Sequence, residues 1–324
     1  MKNILVTGCC GFIGHRVSEI LLERGLTVVG MDSLNDYYDP RLKEWRLQRL
    51  RQHEGFSFHK ADVGDLHEVR TVFSNYTIEA VINLAARAGV RPSVDDPWVY
   101  METNLRGTLN LLECCKAKGV RKFILASTSS VYGDNTKVPF SVQDSSDHPL
   151  APYAATKKGA EVLCYSYHYL CGMDISVLRY FTVYGPAGRP DMSYFRFIKN
   201  IDTGKPIPVF GDGTQKRDFT YIDDIADGTI RCLGHRGFGI FNLGNDRPAE
   251  LMQLIALIEN NLGKKAEINW LPMHPADMKA TWADIRATEE ALQWRPKTPI
   301  EEGIEKTVSW YRDHREFVSA LEDR

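Results

Sequence analysis

The chain has 324 residues, enough to bury a large core and beyond the size at which chains usually divide into domains. Forty lysines and arginines against 42 aspartates and glutamates leave a net charge of −2, which with a pI near 6.5 argues against nucleic acid as the main partner. Seven cysteines without a Cys-x-x-Cys spacing and nine scattered histidines point to reduced thiols and no metal centre. No run approaches the roughly 18 apolar residues that span a membrane. Glycines interrupt the apolar run after Met1-Lys2-Asn3 too early for a signal peptide, so a cytoplasmic location is expected.

Ile4-Leu5-Val6 reads as a short buried strand that runs into Thr7-Gly8-Cys9-Cys10-Gly11-Phe12-Ile13-Gly14 and an amphipathic stretch to Arg24. Glycines at 8, 11 and 14 permit a tight turn, a close approach of backbone to a pyrophosphate, and close packing of helix on sheet. The helix N-terminus offers free N–H groups and a positive dipole end to the phosphates. Asp32 closes the next apolar strand, Thr27 to Met31, 18 residues after Gly14. An acid there can hydrogen-bond ribose hydroxyls and repels a 2′-phosphate, which predicts NAD over NADP. Strand, glycines, helix, strand and acid in this order predict a Rossmann-type doubly wound parallel sheet.

A charged helix follows from Arg41 to about Gln52, read as a solvated face with an apolar stripe of Leu42, Trp45, Leu47 and Leu50. Phe56 to Lys60 is a third strand, and Asp62 and Val63 at its end are within reach of an adenine amino group. Ala80 to Asn83 is a fourth strand, after which the small Leu84-Ala85-Ala86 segment lets backbone lie against a cofactor. A helix from about Trp98 to Lys118 carries Leu105, Leu109 and Leu112 at helical spacing, with Asn104 inside it in a structural role. A fifth strand, Lys122 to Ala126, leads into Ser127-Thr128-Ser129-Ser130-Val131-Tyr132-Gly133, which places hydroxyl donors where open α/β sheets bind ligands.

Pro152 opens a helix in its first turn, where proline is tolerated, and Tyr153 and Lys157 then lie one turn apart on one face. A phenol normally titrates near pH 10. An ammonium one turn away and a positive nicotinamide ring would both favour the phenolate, so Tyr153 could take a proton from a sugar hydroxyl as hydride leaves the same carbon. Ile175 to Leu178 is a sixth strand. Beyond Arg179, Gly185-Pro186, Gly204-Lys205-Pro206 and Gly211-Asp212-Gly213 punctuate a region of loops and short elements suited to substrate binding. Ile300, Ile304, Val308 and Tyr311 form a helical core stripe near the end.

The Thr-Gly-x-x-Gly-x-x-Gly segment, the Ser-Thr-Ser-Ser-Val-Tyr-Gly run and Tyr-x-x-x-Lys together resemble the extended short-chain dehydrogenases/reductases, the nucleotide-sugar epimerases and dehydratases, over nearly the whole chain. Within that family Tyr180 to Pro186 and Gly188-Arg189-Pro190-Asp191-Met192 most resemble UDP-glucuronate 4-epimerases. The resemblance implies an NAD-binding domain over 1–178, rejoined by 219–244, and a discontinuous UDP-sugar-binding region over 179–324. It implies a homodimer paired through helices near 98–118 and 151–171. Thr128 would hydrogen-bond the reacting hydroxyl, Tyr153 would take its proton, and Lys157 would hold the nicotinamide ribose. Arg217 resembles the diphosphate-binding arginine, and Asp277 the residue near the uridine ribose. His274 stands where relatives often carry arginine or glutamine.

Dehydratases of the family place Asp-Glu directly after the threonine, and the related decarboxylases place glutamate two positions after it. Here both places are serine, Ser129 and Ser130, which points to epimerisation, with UDP-glucuronate decarboxylation the alternative. Thr182, Arg189, Arg91 and Arg196 are candidates to hold a C6 carboxylate. If they only shape loops, the sugar is neutral and the chain a UDP-glucose 4-epimerase. An NAD-binding regulator without turnover would have no need of Thr128, Tyr153 and Lys157 together.

Overall fold

A computed structural model describes residues 3–272 and 280–322. Four strands alternate with helices at the start of the chain: β1 (Asn3–Thr7), α1 (Phe12–Glu23), β2 (Thr27–Asp32), α2 (Pro40–Leu50), β3 (Phe56–Lys60), α3 (Leu66–Asn75) and β4 (Ile78–Asn83). The long helix before the fifth strand is three consecutive segments after a short α4 (Pro92–Asp95): α5 (Pro97–Tyr100), a π-helical stretch Met101–Arg106, and α6 (Gly107–Lys118). Then come β5 (Lys122–Thr128), a 3-10 turn Ser129–Tyr132, α7 (Pro152–Cys171) and β6 (Asp174–Tyr180).

The second half is made of shorter pieces: β7 (Thr182–Tyr184), α8 (Ser193–Thr203), β8 (Ile207–Phe210), β9 (Lys216–Arg217), β10 (Phe219–Tyr221) and α9 (Ile222–Arg231). After them follow β11 (Phe238–Leu243), β12 (Ala249–Glu250), α10 (Leu251–Leu262), β13 (Ile268–Leu271), β14 (Ala280–Thr281), α11 (Arg286–Leu292), α12 (Ile300–Asp313) and α13 (Arg315–Ala320).

Seven strands form one parallel sheet in the order β11-β6-β5-β4-β1-β2-β3. Both faces are covered, so the strands are apolar almost throughout rather than alternating. Ile4 and Val6 enter one layer with Val28, Ile82 and Ile124, under α1 and α9. Leu5 enters the other with Val29, Val81, Phe123 and Leu125, under α3, α6 and α7. The first layer runs on into the second half through Tyr184, Tyr194, Ile198, Leu254, Ile304 and Val308. The second half thus shares a core with the sheet, above the carboxyl end of β6.

Two local features depart from the sequence-based expectations. The fifth strand extends two residues further, to Thr128, because β6 pairs with it as far as Thr128↔Tyr180. The charged helix α2 is not simply a solvated face. Lys43, Arg46, Leu47 and Leu50, at helical spacing, all turn inward, and Arg46 is fully buried. Its Nη1 donates to the Cys10 carbonyl at 3.0 Å and the Tyr38 hydroxyl at 2.6 Å, and its Nη2 to the Ala187 carbonyl at 2.7 Å. A guanidinium is kept inside the fold when most of its donors are met in this way; of Arg46's nitrogens only Nε lacks a partner among the described residues.

Candidate active site

The carboxyl ends of β1, β2, β4, β5 and β6 open into one cleft of about 510 Å³, roofed by the segment after β6. At one end lies the turn between β1 and α1. Gly8 takes a left-handed φ of 67°, and a Cβ there would stand 2.7 Å from the Ala85 nitrogen. A Cβ on Gly14 would stand 2.0 Å from the Gly8 carbonyl oxygen. Only glycine fits either place. Gly11 caps α1 without a side-chain hydrogen bond, which leaves the first-turn N–H groups directed into the cleft beside Phe12 and Ile13.

Asp32, buried at the end of β2, accepts from the Cys10 N–H at 3.0 Å and the Leu34 N–H at 2.8 Å. Asp62 and Val63 form the far wall, where the Asp62 carboxylate accepts from the Gly64 N–H at 2.8 Å. Leu84, Ala85 and Ala86 floor the opposite side, held by the Thr7 hydroxyl, which accepts from the Ala85 N–H at 3.2 Å. A tight glycine turn, a bare helix N-terminus and an acid at the next strand's end fit the diphosphate and ribose of NAD.

At the other end Thr128, Tyr153 and Lys157 come together. Thr128 is the last residue of β5, and its Oγ1 accepts from the Ser130 N–H at 3.2 Å, an arrangement that also orients Ser129 and Ser130. The Lys157 ammonium donates to the Ala126 carbonyl at 2.9 Å. Burial pushes Lys157 down to about 8, with Glu161 opposing the shift. Burial pushes the Tyr153 phenol up. The sequence points to Lys157 as the group that lowers the phenol. In the structure that influence comes first from the Thr128 hydroxyl and then from Arg189.

Thr182 opens β7 in the cleft, and Arg189 faces it from the following turn. Asp191 binds Arg189 in bidentate fashion, to Nε at 3.0 Å and Nη2 at 2.5 Å, which leaves Nη1 for another acceptor. Three arginines read as substrate-binding do not line the cleft. Arg91 and Arg196 are exposed, Arg91 lying 4.9 Å over the Phe210 ring. Arg217 sits on β9 with Nη1 on the Lys216 carbonyl at 2.9 Å. Asp277 and His274 lie outside the described residues. Asn104 is structural, as read: it accepts from the Arg87 N–H at 2.9 Å and donates to the Arg87 carbonyl at 3.0 Å and Thr156 at 3.1 Å.

Among the cleft residues to which the sequence reading gave no role are Asn35, Tyr37 and Lys43, and Asp191 was read only as part of its motif. Lys43 donates to the Asn35 side chain at 2.8 Å beside Asp32. Tyr37 lies between two guanidinium groups, 4.5 Å from Arg87 and 5.5 Å from Arg189. Inward spacing with Leu47 and Leu50 was a usable signal for Lys43, and the motif around Arg189 for Asp191; none marked Asn35 and Tyr37. Cys9, Cys10 and Asp32 bring three metal-capable groups within 4.8 Å, but burial raises the Cys9 thiol, which keeps it protonated.

The model of the NAD dependent epimerase/dehydratase family matches residues 4–244. The chain is 54% identical over 322 residues to a UDP-glucuronate 4-epimerase of Thermodesulfobacterium geofontis, covering 99% of both chains. Among solved structures it resembles the UDP-glucuronic acid 4-epimerase of Bacillus cereus in complex with UDP-glucuronic acid and NAD, with a TM-score of 0.90, 38% identity, and coverage of 96% of this chain and 99% of that one. It also resembles the UDP-glucose 4-epimerase of Thermotoga maritima with UDP-glucose, with a TM-score of 0.90, 33% identity, and coverage of 97% and 99%.

Proposed function

The chain belongs to the NAD dependent epimerase/dehydratase family, and from that premise we propose that it converts UDP-glucuronate to UDP-galacturonate by NAD-dependent 4-epimerisation through a 4-keto sugar. The observation that carries the reading is one cleft with the glycine turn and Asp32 at one end and Thr128, Tyr153, Lys157, Thr182 and Arg189 at the other. Bound there, NAD would accept hydride from C4 and return it to the opposite face, so that it is regenerated each cycle.

The chain's own residues supply the rest. Gly8, Gly11 and Gly14 with the α1 N-terminus cradle the diphosphate, Asp32 takes the adenosine ribose, and Asp62 and Val63 meet the adenine. Thr128 would position the C4 hydroxyl for Tyr153, which would remove its proton, and Lys157, bonded to the Ala126 carbonyl here, would hold the nicotinamide ribose. Ser129, Ser130, Thr182 and the remaining Arg189 N–H groups hold the uronate carboxylate. That grip has a chemical purpose. A carboxylate beside a C4 ketone is a β-keto acid and loses CO₂ when its bond to C5 aligns with the carbonyl π system; donors that fix it out of line suppress the loss. Arg217 would meet the diphosphate, as the resemblance implies, whereas Arg91 and Arg196, expected as carboxylate donors, do not line the cleft and are left out of that grip.

The domain division follows the same reading, with 1–178 and 219–244 holding NAD and the remainder holding the UDP-sugar. A homodimer is proposed through α5, α6 and α7, whose outer faces expose Trp98 (77%), Tyr169 (77%) and Leu170 (76%). Large apolar surface of this kind is unusual on a monomer. All seven cysteines are free thiols, the state kept in a reducing compartment, which favours the cytoplasm. No helix among the described residues is long and apolar enough to cross a membrane. Product analysis decides the substrate. Incubation with UDP-glucuronate should give UDP-galacturonate and little UDP-pentose. Fast interconversion of UDP-glucose and UDP-galactose with no action on the uronate would overturn the reading, and mainly UDP-xylose would favour decarboxylation.

A further inference from the structure

Glu161 lies one helical turn beyond Lys157 on α7, its side chain 2% exposed, and none of the steps above uses it. Its carboxylate gathers three donors from two strands: the Ser127 hydroxyl at 2.5 Å, Arg179 Nε at 3.1 Å and Arg179 Nη2 at 2.8 Å. Arg179 is equally buried, 4.8 Å over the Tyr132 ring, with Nη2 also on the Ser146 hydroxyl at 3.2 Å. A buried ion pair is a costly fastening between helix and sheet, since well-packed apolar residues often hold such a place as well or better. Its position gives it another use. Ser127 stands between Ala126, whose carbonyl takes the Lys157 ammonium, and Thr128. The last three residues of β5 are thereby registered against the helix that carries Tyr153.

We propose that Glu161 is a positioning residue for the proton transfer: clamped by Arg179 and Ser127, it fixes the strand end carrying Thr128 and keeps the Lys157 ammonium charged. The inference rests on the reading of Thr128, Tyr153 and Lys157 as the reacting set. Around Lys157 the titratable groups are few. Glu161 and the Cys164 thiol share its helix, Arg179 comes from β6 and is locked onto Glu161, the Tyr132 ring lies beneath Arg179, and Tyr100 of α5 meets the Tyr153 ring. Glu161 is the anion of that set and opposes the effect of burial on Lys157. An anion favours the charged ammonium, so its removal lets Lys157 lose its proton at lower pH, and activity that needs the ammonium falls off earlier as pH rises.

The single change Glu161→Gln would strand the buried Arg179, so the informative variant is Glu161→Gln/Arg179→Gln, which removes both charges and keeps amide partners. In holoenzyme turning over UDP-glucuronate, the alkaline limb of kcat should move downward by less than the roughly one pH unit, or tenfold, that losing the anion alone would give, since the Arg179 cation goes with it, with bound NAD and melting midpoint little changed. Glu161→Asp keeps the charge but retracts from Ser127, so kcat should fall while the limb stays in place. A double variant that folds and keeps the wild-type profile overturns the proposal. So does a Glu161→Asp enzyme with unchanged kcat, which decides the matter if the double variant does not fold. An active wild type with an unmoved limb contradicts this inference alone. A wild type inert towards UDP-glucuronate contradicts the functional reading, and the inference falls with it.

Discussion

Tyr153 carries a hydroxyl that contributes little to packing, since its ring already meets Tyr100 edge-on at 6.1 Å. Tyr153→Phe should therefore keep NAD content and stability while kcat falls by at least ~10²-fold, the usual loss of a general base. A rate near wild type would remove Tyr153 from that role. Burial holds the phenol above its ordinary value, opposed by the Thr128 hydroxyl and then by Arg189, and a bound positive nicotinamide ring would favour the phenolate further. Asp32 makes a second residue-level prediction. Its carboxylate is buried and already turned towards the glycine turn, so a 2′-phosphate would meet a negative charge with little water between. Stripped enzyme should bind NAD⁺ at least about tenfold more tightly than NADP⁺, and Asp32→Asn should narrow the ratio. Equal titration curves for the two cofactors in the wild type would contradict this.

Between elements, the π-helical stretch 101–106 does the joining. It turns Asn104 towards the loop after β4, where one amide satisfies both the N–H and the carbonyl of Arg87 and reaches Thr156 on α7. Asn104→Ala leaves the part-buried Arg87 N–H and carbonyl without this partner, while Thr156 keeps its bond to the Tyr153 carbonyl, and should lower stability by about 1–3 kcal/mol in chemical denaturation. An unchanged midpoint would show that water replaces the amide. The parallel strands were legible in the sequence because each is an apolar run bounded by glycine, an acid or a hydroxyl. The last two residues of β5 were not. Ser127 and Thr128 read as loop, and only pairing with β6 extends the strand through them. The inward face of α2 was hidden in the same way. A lysine and an arginine read as solvated until Asn35, Tyr38 and two loop carbonyls supply acceptors for them.

In the whole molecule, the motif-borne part of the site was readable because each motif is contiguous: the glycine turn, the hydroxyl run and the Tyr-Lys pair. The rest depends on chain segments far apart in sequence. Arg46 meets Ala187 across 141 positions, and Tyr37 meets Arg189 only once the segment after β6 folds over β2. The outer faces of α5, α6 and α7 carry the prediction at this scale. Tyr169→Glu places a charge on the exposed apolar surface of α7, and light scattering should report a dimer for the wild type and a monomer for the variant. A monomeric wild type would contradict the pairing. The hydride's path offers the most direct trial of the chemistry. Incubation of UDP-glucuronate carrying deuterium at C4, followed by mass and proton resonance analysis, should give UDP-galacturonate that retains the deuterium at C4, since in the proposed reaction the same hydride leaves and returns within one cleft. Deuterium lost to water, or its appearance mainly in a UDP-pentose, would contradict epimerisation through a bound 4-keto sugar.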